Sequence, residues 1–235
     1  MIYGQSGGGR KVSLCFAGRD ASGLFHKGVV QSGAHLRVQS LETADELAYA
    51  LLKELQIPVS DAIKLQDVPV DTLTAAQRKV LGGFNTRFSP VLDGHCFTSH
   101  PFYPDAPEIS SNVPMMLGTT RTELTNQMGG IPGIFEMDEA AAKKRLASFI
   151  DPEDVDEAYT VFKASRPESS PSEVFFKIVS ARGYVKDQTL MAEMRVLGAT
   201  APTYVYRLMW RQPVEGGRLV SQHSLDLPFV FDNAD

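Results

Sequence analysis

The chain opens Met1-Ile2-Tyr3 and then turns at once through Gly4-Gln5-Ser6-Gly7-Gly8. A serine with glycine two residues away on either side fits a tight strand-to-helix turn that presents its hydroxyl. Such a turn holds the serine backbone in a strained conformation, and crowding is the expected reason for glycine at both position 4 and position 8. Only three residues precede the turn, so the entering strand is a stub and the chain reads as a later part of a larger sheet. Taken alone, the pentapeptide also fits a glycine-rich loop or a helix N-cap at Ser6, and the residues downstream must decide.

A helix with Val12 to Phe16 as its apolar part is expected next. Lys27 to Gln31 then reads as a short buried strand. The residues around that strand run Gly23-Leu24-Phe25-His26-Lys27-Gly28-Val29-Val30-Gln31-Ser32-Gly33. Together these stretches resemble the type B carboxylesterase family, which includes cholinesterases and bacterial para-nitrobenzyl esterases. Its pattern is G-[EQ]-S-[AG]-G, a helix, then G-L-F-H/Q-[RK]-[AG]-[IV]-x-Q-S-G. The resemblance implies an α/β-hydrolase fold and a triad in the order serine, acid, histidine. This chain would hold part of that fold, as one partial domain over residues 1–235: the end of the elbow strand, about three following central strands and the intervening helices. It would be a C-terminal fragment without the N-terminal part and the extreme C-terminus.

Met115 to Leu117 is an apolar run bounded by Pro114 and Gly118, which reads as a buried strand. Glu123 lies just beyond its C-terminal end, where open α/β sheets place their ligand chemistry. In isolation such a carboxylate reads as a solvated surface group. Val113 to Glu123 nevertheless resembles the family's V-P-[LM]-[LM]-x-G-x-x-x-[DE]-E segment, and the resemblance makes Glu123 the acid. Thr122 stands where the family often has a second acidic residue.

Tyr204 to Leu208 alternates aromatic and aliphatic residues, reads as a strand and resembles the family's Y-x-Y-x-[FL]. His223 follows in Ser221 to Asn233, a segment similar to H-x-x-[DE]-[IL]-P-[FY]-[VL]-F, and is the candidate base. The other histidines lie elsewhere: His26 at a helix-to-strand corner where it is expected to pack, His35 in a loop, and His95 and His100 around Cys96 to Ser99. No pair has H-E-x-x-H spacing, and Cys96 with two nearby histidines is a poor ligand set, so no metal site is expected.

The resemblance implies ester cleavage with Ser6 as nucleophile, His223 as general base and Glu123 orienting the imidazole. The Gly7 N–H would supply one oxyanion donor. The family's other donors come from an H-G-G-[GA] loop, and this chain has no such tetrapeptide. The chain by itself is therefore expected to be aggregation-prone or partly disordered, and without measurable esterase activity. A non-catalytic, cholinesterase-like binding or adhesion module is the alternative reading.

The remaining features narrow the partners. A net charge of −5 with only short basic runs gives no electrostatic support for nucleic-acid binding. No apolar stretch approaches the ~20 residues of a membrane span. The expected partner is a small-molecule ester, with no cofactor, and neither oligomeric state nor localisation is legible. Two cysteines, Cys15 and Cys96, suggest no disulfide framework. Cys15 is expected to be a buried thiol of the elbow helix.

Between the motif segments, Thr43-Ala44-Asp45-Glu46 is a capping-box pattern opening a helix through Leu47, Leu51, Leu52 and Leu55, ended by Pro58. Leu73 to Val80 is a second amphipathic helix, and residues 82–112 read as a long loop with a turn at Asp93-Gly94. Two helices are expected between Asp138 and Ala164, broken at Asp151-Pro152. A third runs from the cap at Ser170 to about Leu197. Phe135, Phe175 and Phe176 read as core or as pocket walls.

Overall fold

The computed structural model describes residues 1–83 and 87–233. Part of the loop expected over 82–112 therefore lies outside the described residues. The chain divides into two compact units, one of Met1–Leu36 with Pro101–Asp235, the other of Arg37–His100.

The larger unit is built on four parallel strands in the order β1 (Ile2–Gln5), β2 (Gly28–Gln31), β3 (Met115–Thr120) and β4 (Thr203–Leu208). Parallel neighbours need crossover connections. Helix α1 (Gly7–Ala17) provides the first of these. Val12 and Phe16 of α1 pack with Val30, Met115 and Leu117 on one face of the sheet. The three expected strands after the elbow are all present, and the second of them, β3, extends past Leu117 to Thr120.

The smaller unit holds α2 (Leu41–Glu54) and α3 (Val70–Leu81). Its core contains Leu47, Leu52, Ala76 and Val80. The cap of α2 is Ser40, whose hydroxyl accepts the Thr43 N–H at 3.2 Å, so Thr43 lies in the first turn rather than before it. Both serine and threonine suit an N-cap, and the extended backbone needed there occurs at Ser40, with ψ of 153°. A 3₁₀ segment, Val59–Asp67, follows where no element was expected. Asp93 holds the expected turn, accepting N–H bonds from His95 and Phe97.

In the larger unit, α4 (Thr125–Met128) follows Glu123. Then come α5 (Glu139–Leu146) and α6 (Val155–Ala164), with the break between them where Asp151-Pro152 placed it. The third expected helix is two, α7 (Pro171–Ser180) and α8 (Lys186–Gly198), joined by a π-helical turn, Ala181–Val185. Such a turn bonds i to i+5 and takes in one extra residue, and nothing local in the residues marks where it occurs. Helix α9 (Leu227–Val230) is the last element among the described residues.

Phe175 and Phe176 are buried in a core with Leu146, Tyr159 and Ile178, and Phe135 packs against it, which decides for core. His26 is exposed rather than packed at its corner, and Cys15 is half-buried rather than buried. Burial raises the Cys15 thiol pKa.

The second face of the sheet is open. Register places Tyr3, Val29, Met116 and Tyr204 side by side across the four strands. Tyr3, Met116 and Tyr204 are all exposed. With Phe229 and Phe231, part of this face lines an apolar cavity of about 480 Å³. Parallel sheets are ordinarily covered on both sides, so such a face favours association.

Candidate active site

Ser6 sits between β1 and α1 with φ 56° and ψ −117°. This is a costly conformation for a residue with a Cβ. The surroundings impose it. The Ser6 N–H donates to Gln31 O at 2.8 Å, and Ser6 O accepts the Arg10 N–H at 3.0 Å. A Cβ at Gly4 would stand 2.4 Å from the carbonyl carbon and oxygen of Gly8, and one at Gly33 would stand 2.3 Å from Ser6 O. A Cβ at Gly8 would meet nothing within 4 Å. Crowding thus explains glycine at position 4 but not at position 8, and Gly9 and Gly33 are crowded against backbone as well. The Gly7 N–H opens α1, where the first turn leaves its donors unpaired.

Glu123 lies in the turn after β3 and is completely buried. A buried carboxylate needs partners, and this one has three. Its Oε1 accepts from the Ser32 hydroxyl and from the Thr120 N–H, each at 2.7 Å. Its Oε2 lies 2.5 Å from His223 Nδ1. Glu123 and His223 are therefore brought together from 100 residues apart.

The histidine loop is tied to the acid loop through Thr122. Its N–H donates to Ser221 O at 3.0 Å, and its hydroxyl oxygen accepts the Ser221 N–H at 3.0 Å. Thr125 donates to Leu219 O and Asn126 to His223 O. The Tyr184 ring, carried by the π turn, lies 5.2 Å from the His223 ring, and its hydroxyl accepts from Gln127.

The remaining nitrogen of the imidazole meets Gln5, the residue before the serine. Gln5 Nε2 is 3.0 Å from His223 Nε2. Gln5 thus stands at the nitrogen that a base acting on Ser6 would use.

Register places Gln5, Gln31, Gly118 and Tyr206 in one row across the sheet. A Cβ at Gly118 would come within 1.8 Å of the Tyr206 ring, so glycine there lets the ring lie across β3. Tyr206 then donates to Asp226 Oδ2 at 2.6 Å, and Gln31 donates to both Tyr206 and Asp226 at 3.0 Å. Burial first, and the Asp226 carboxylate second, hold the Tyr206 phenol protonated well above its ordinary range. This network anchors the segment three residues past His223.

Gln5, Ser32, Thr122 and Tyr184 had no role in the sequence reading. Gln5 and Ser32 sit inside the matched motifs, beside Ser6 and Gln31, and that adjacency was the available signal. Nothing local marks Tyr184. Among the described residues no group of three or more His, Cys, Asp or Glu is placed to hold a metal ion. None of their helices is long and apolar enough to cross a membrane.

Comparison with known proteins agrees with this architecture. The model of the carboxylesterase family matches residues 1–234. Para-nitrobenzyl esterase of Bacillus subtilis strain 168 is 27% identical over 244 residues, covering 100% of this chain and 46% of that protein. Phenmedipham hydrolase of Pseudarthrobacter oxydans is 24% identical over 242 residues, covering 100% of this chain and 47% of that protein. The crystal structure of Geobacillus stearothermophilus carboxylesterase EST55 at pH 6.2 superposes with a TM-score of 0.72 at 27% identity, over 98% of this chain and 47% of that one. The fold is thus that of the α/β-hydrolases, and the chain spans about half the length of the curated relatives it matches.

Proposed function

This chain belongs to the carboxylesterase family, and from that premise and the site geometry we propose that it carries the Ser6, Glu123 and His223 triad of a serine esterase acting on small-molecule carboxylic esters. The contact between the buried Glu123 carboxylate and His223 Nδ1 carries the reading. A carboxylate accepts only, so Nδ1 bears the hydrogen and Nε2 is left as the base. Ser6 Oγ attacks the ester carbonyl carbon while its proton passes to Nε2. Glu123 stabilises the imidazolium, and the Gly7 N–H receives the oxyanion at the positive end of α1. His223 returns the proton to the departing alkoxide. Water, deprotonated at the same nitrogen, then cleaves the acyl–Ser6 ester and restores the serine.

Gly7 is the oxyanion donor this chain supplies. Each further donor is worth about 10²–10³ in rate. The test therefore reads the nucleophile rather than turnover. A fluorophosphonate should add one phosphonyl group to the chain, located at Ser6 by mass spectrometry. Ser6→Ala should abolish labelling, and His223→Ala should slow it about a hundredfold or more. Labelling that persists in Ser6→Ala, or is indifferent to His223, would remove the triad assignment.

A further inference from the structure

We propose that Gln5 is a positioning residue that caps the proton-accepting nitrogen of His223 in the resting site, so that Ser6 is activated only once the Gln5 side chain moves aside. The inference rests on the triad reading above.

A neutral imidazole has one N–H and one lone pair. Glu123 Oε2, 2.5 Å from Nδ1, claims the N–H, so Nε2 carries the lone pair. The Gln5 group 3.0 Å from Nε2 must then be the amide NH₂ acting as donor, because its carbonyl oxygen has no proton to meet there. That single in-plane lone pair is the one Ser6 needs. While Gln5 holds it, the serine proton has nowhere to go.

The rest of the geometry identifies the moving partner. The His223 ring is held at Nδ1 by Glu123 and covered on one side by the Tyr184 ring. Ser6 is fixed in its strained turn by backbone hydrogen bonds on both its N–H and its carbonyl. Gln31, the next residue in the Gln5 row, already donates to Tyr206 and Asp226 and does not hold the Gln5 amide. The Gln5 side chain has three rotatable bonds and is only partly buried. It is the component free to leave. Glu123 sets the tautomer, and Gln5 sets whether Nε2 is free to accept. The effect of the cap is to keep the base occupied until an ester displaces it.

The test uses ¹⁵N-labelled imidazole in the wild-type chain, Gln5→Leu and Gln5→Asn, in mildly alkaline buffer. Asparagine keeps the amide but is one methylene too short to reach. Both substitutions should move the Nε2 resonance toward that of a free acceptor while leaving Nδ1–H in place. Both should also speed fluorophosphonate labelling of Ser6 about fivefold, the weight of one neutral hydrogen bond. An Nε2 resonance unchanged in Gln5→Leu and Gln5→Asn, or labelling no faster than wild type in both, overturns the cap. If wild-type labelling does not depend on Ser6, the triad reading fails instead, and the Nε2 resonance still decides whether Gln5 occupies that nitrogen.

Discussion

Replacing Gly4 by alanine should damage the chain severely, whereas the same replacement four residues later at Gly8 should be harmless. Neither glycine has a positive φ, so alanine is permitted at both by backbone conformation and the difference is steric. At position 4 the new methyl carbon would lie 2.4 Å from both the carbonyl carbon and the oxygen of Gly8. Ordinary contact begins near 3.4 Å, so the overlap is about 1 Å. It falls on backbone on both sides. β1 is held by its pairing with β2, and Gly8 lies in the first turn of α1, so no rotamer relieves the clash. The helix must lift from the strand, loosening Val12 and Phe16 against the sheet. Overpacking of this kind costs about 3 kcal/mol, the upper end of its usual range. At position 8 the methyl enters open space and restricts the unfolded chain, a gain of about 0.5 kcal/mol. Two identical chemical changes should therefore differ by about 3.5 kcal/mol. Urea unfolding followed by circular dichroism measures this directly. With a slope of about 2 kcal/mol per molar urea, the two midpoints should lie about 1.7 M apart. A Gly4→Ala chain within about 0.5 kcal/mol of wild type would refute the steric account of the elbow. So would a Gly8→Ala chain as unstable as Gly4→Ala.

Tyr206→Phe removes the donor to buried Asp226 and an acceptor for Gln31, and should cost about 2 kcal/mol in urea unfolding while slowing Ser6 labelling through the loosened histidine loop. Lys177 is buried, and desolvation first, then Arg121 and Arg166, push its pKa down to about 8 from 10.5. Between those values the unfolded chain binds the extra proton, so wild-type stability should rise with pH across that window, and Lys177→Met should remove this rise when unfolding is measured at both ends of it. Arg195 is fully buried and donates to Ser110 O and Val113 O, so Arg195→Ala strands two carbonyls and should lower stability by about 3 kcal/mol in the same assay.

Much of the local architecture was legible in the residues because its causes are local. The glycine-flanked serine specified a turn, the apolar run at Met115 a strand, and Ser170 a cap, each set by neighbours within a few positions. The same range explains the limits. Ser40 and Thr43 are both good caps, and only the path of the preceding chain chose Ser40. Gly8 reads like Gly4, but only the packing of α1 on β1 showed which of them is crowded. Thr122 read as a departure from an acidic position, and the fold makes it the tie between the acid and histidine loops. Ser6, Glu123 and His223 were each candidates by the resemblance of their own segments. What meets His223 Nε2 could not. Gln5 and His223 are 218 residues apart, and their contact exists only because β1 enters the sheet two strands from the turn that carries Glu123. The sequence alone determined which groups were available for chemistry. Which of them occupies the base depends on distances that only the assembled sheet creates.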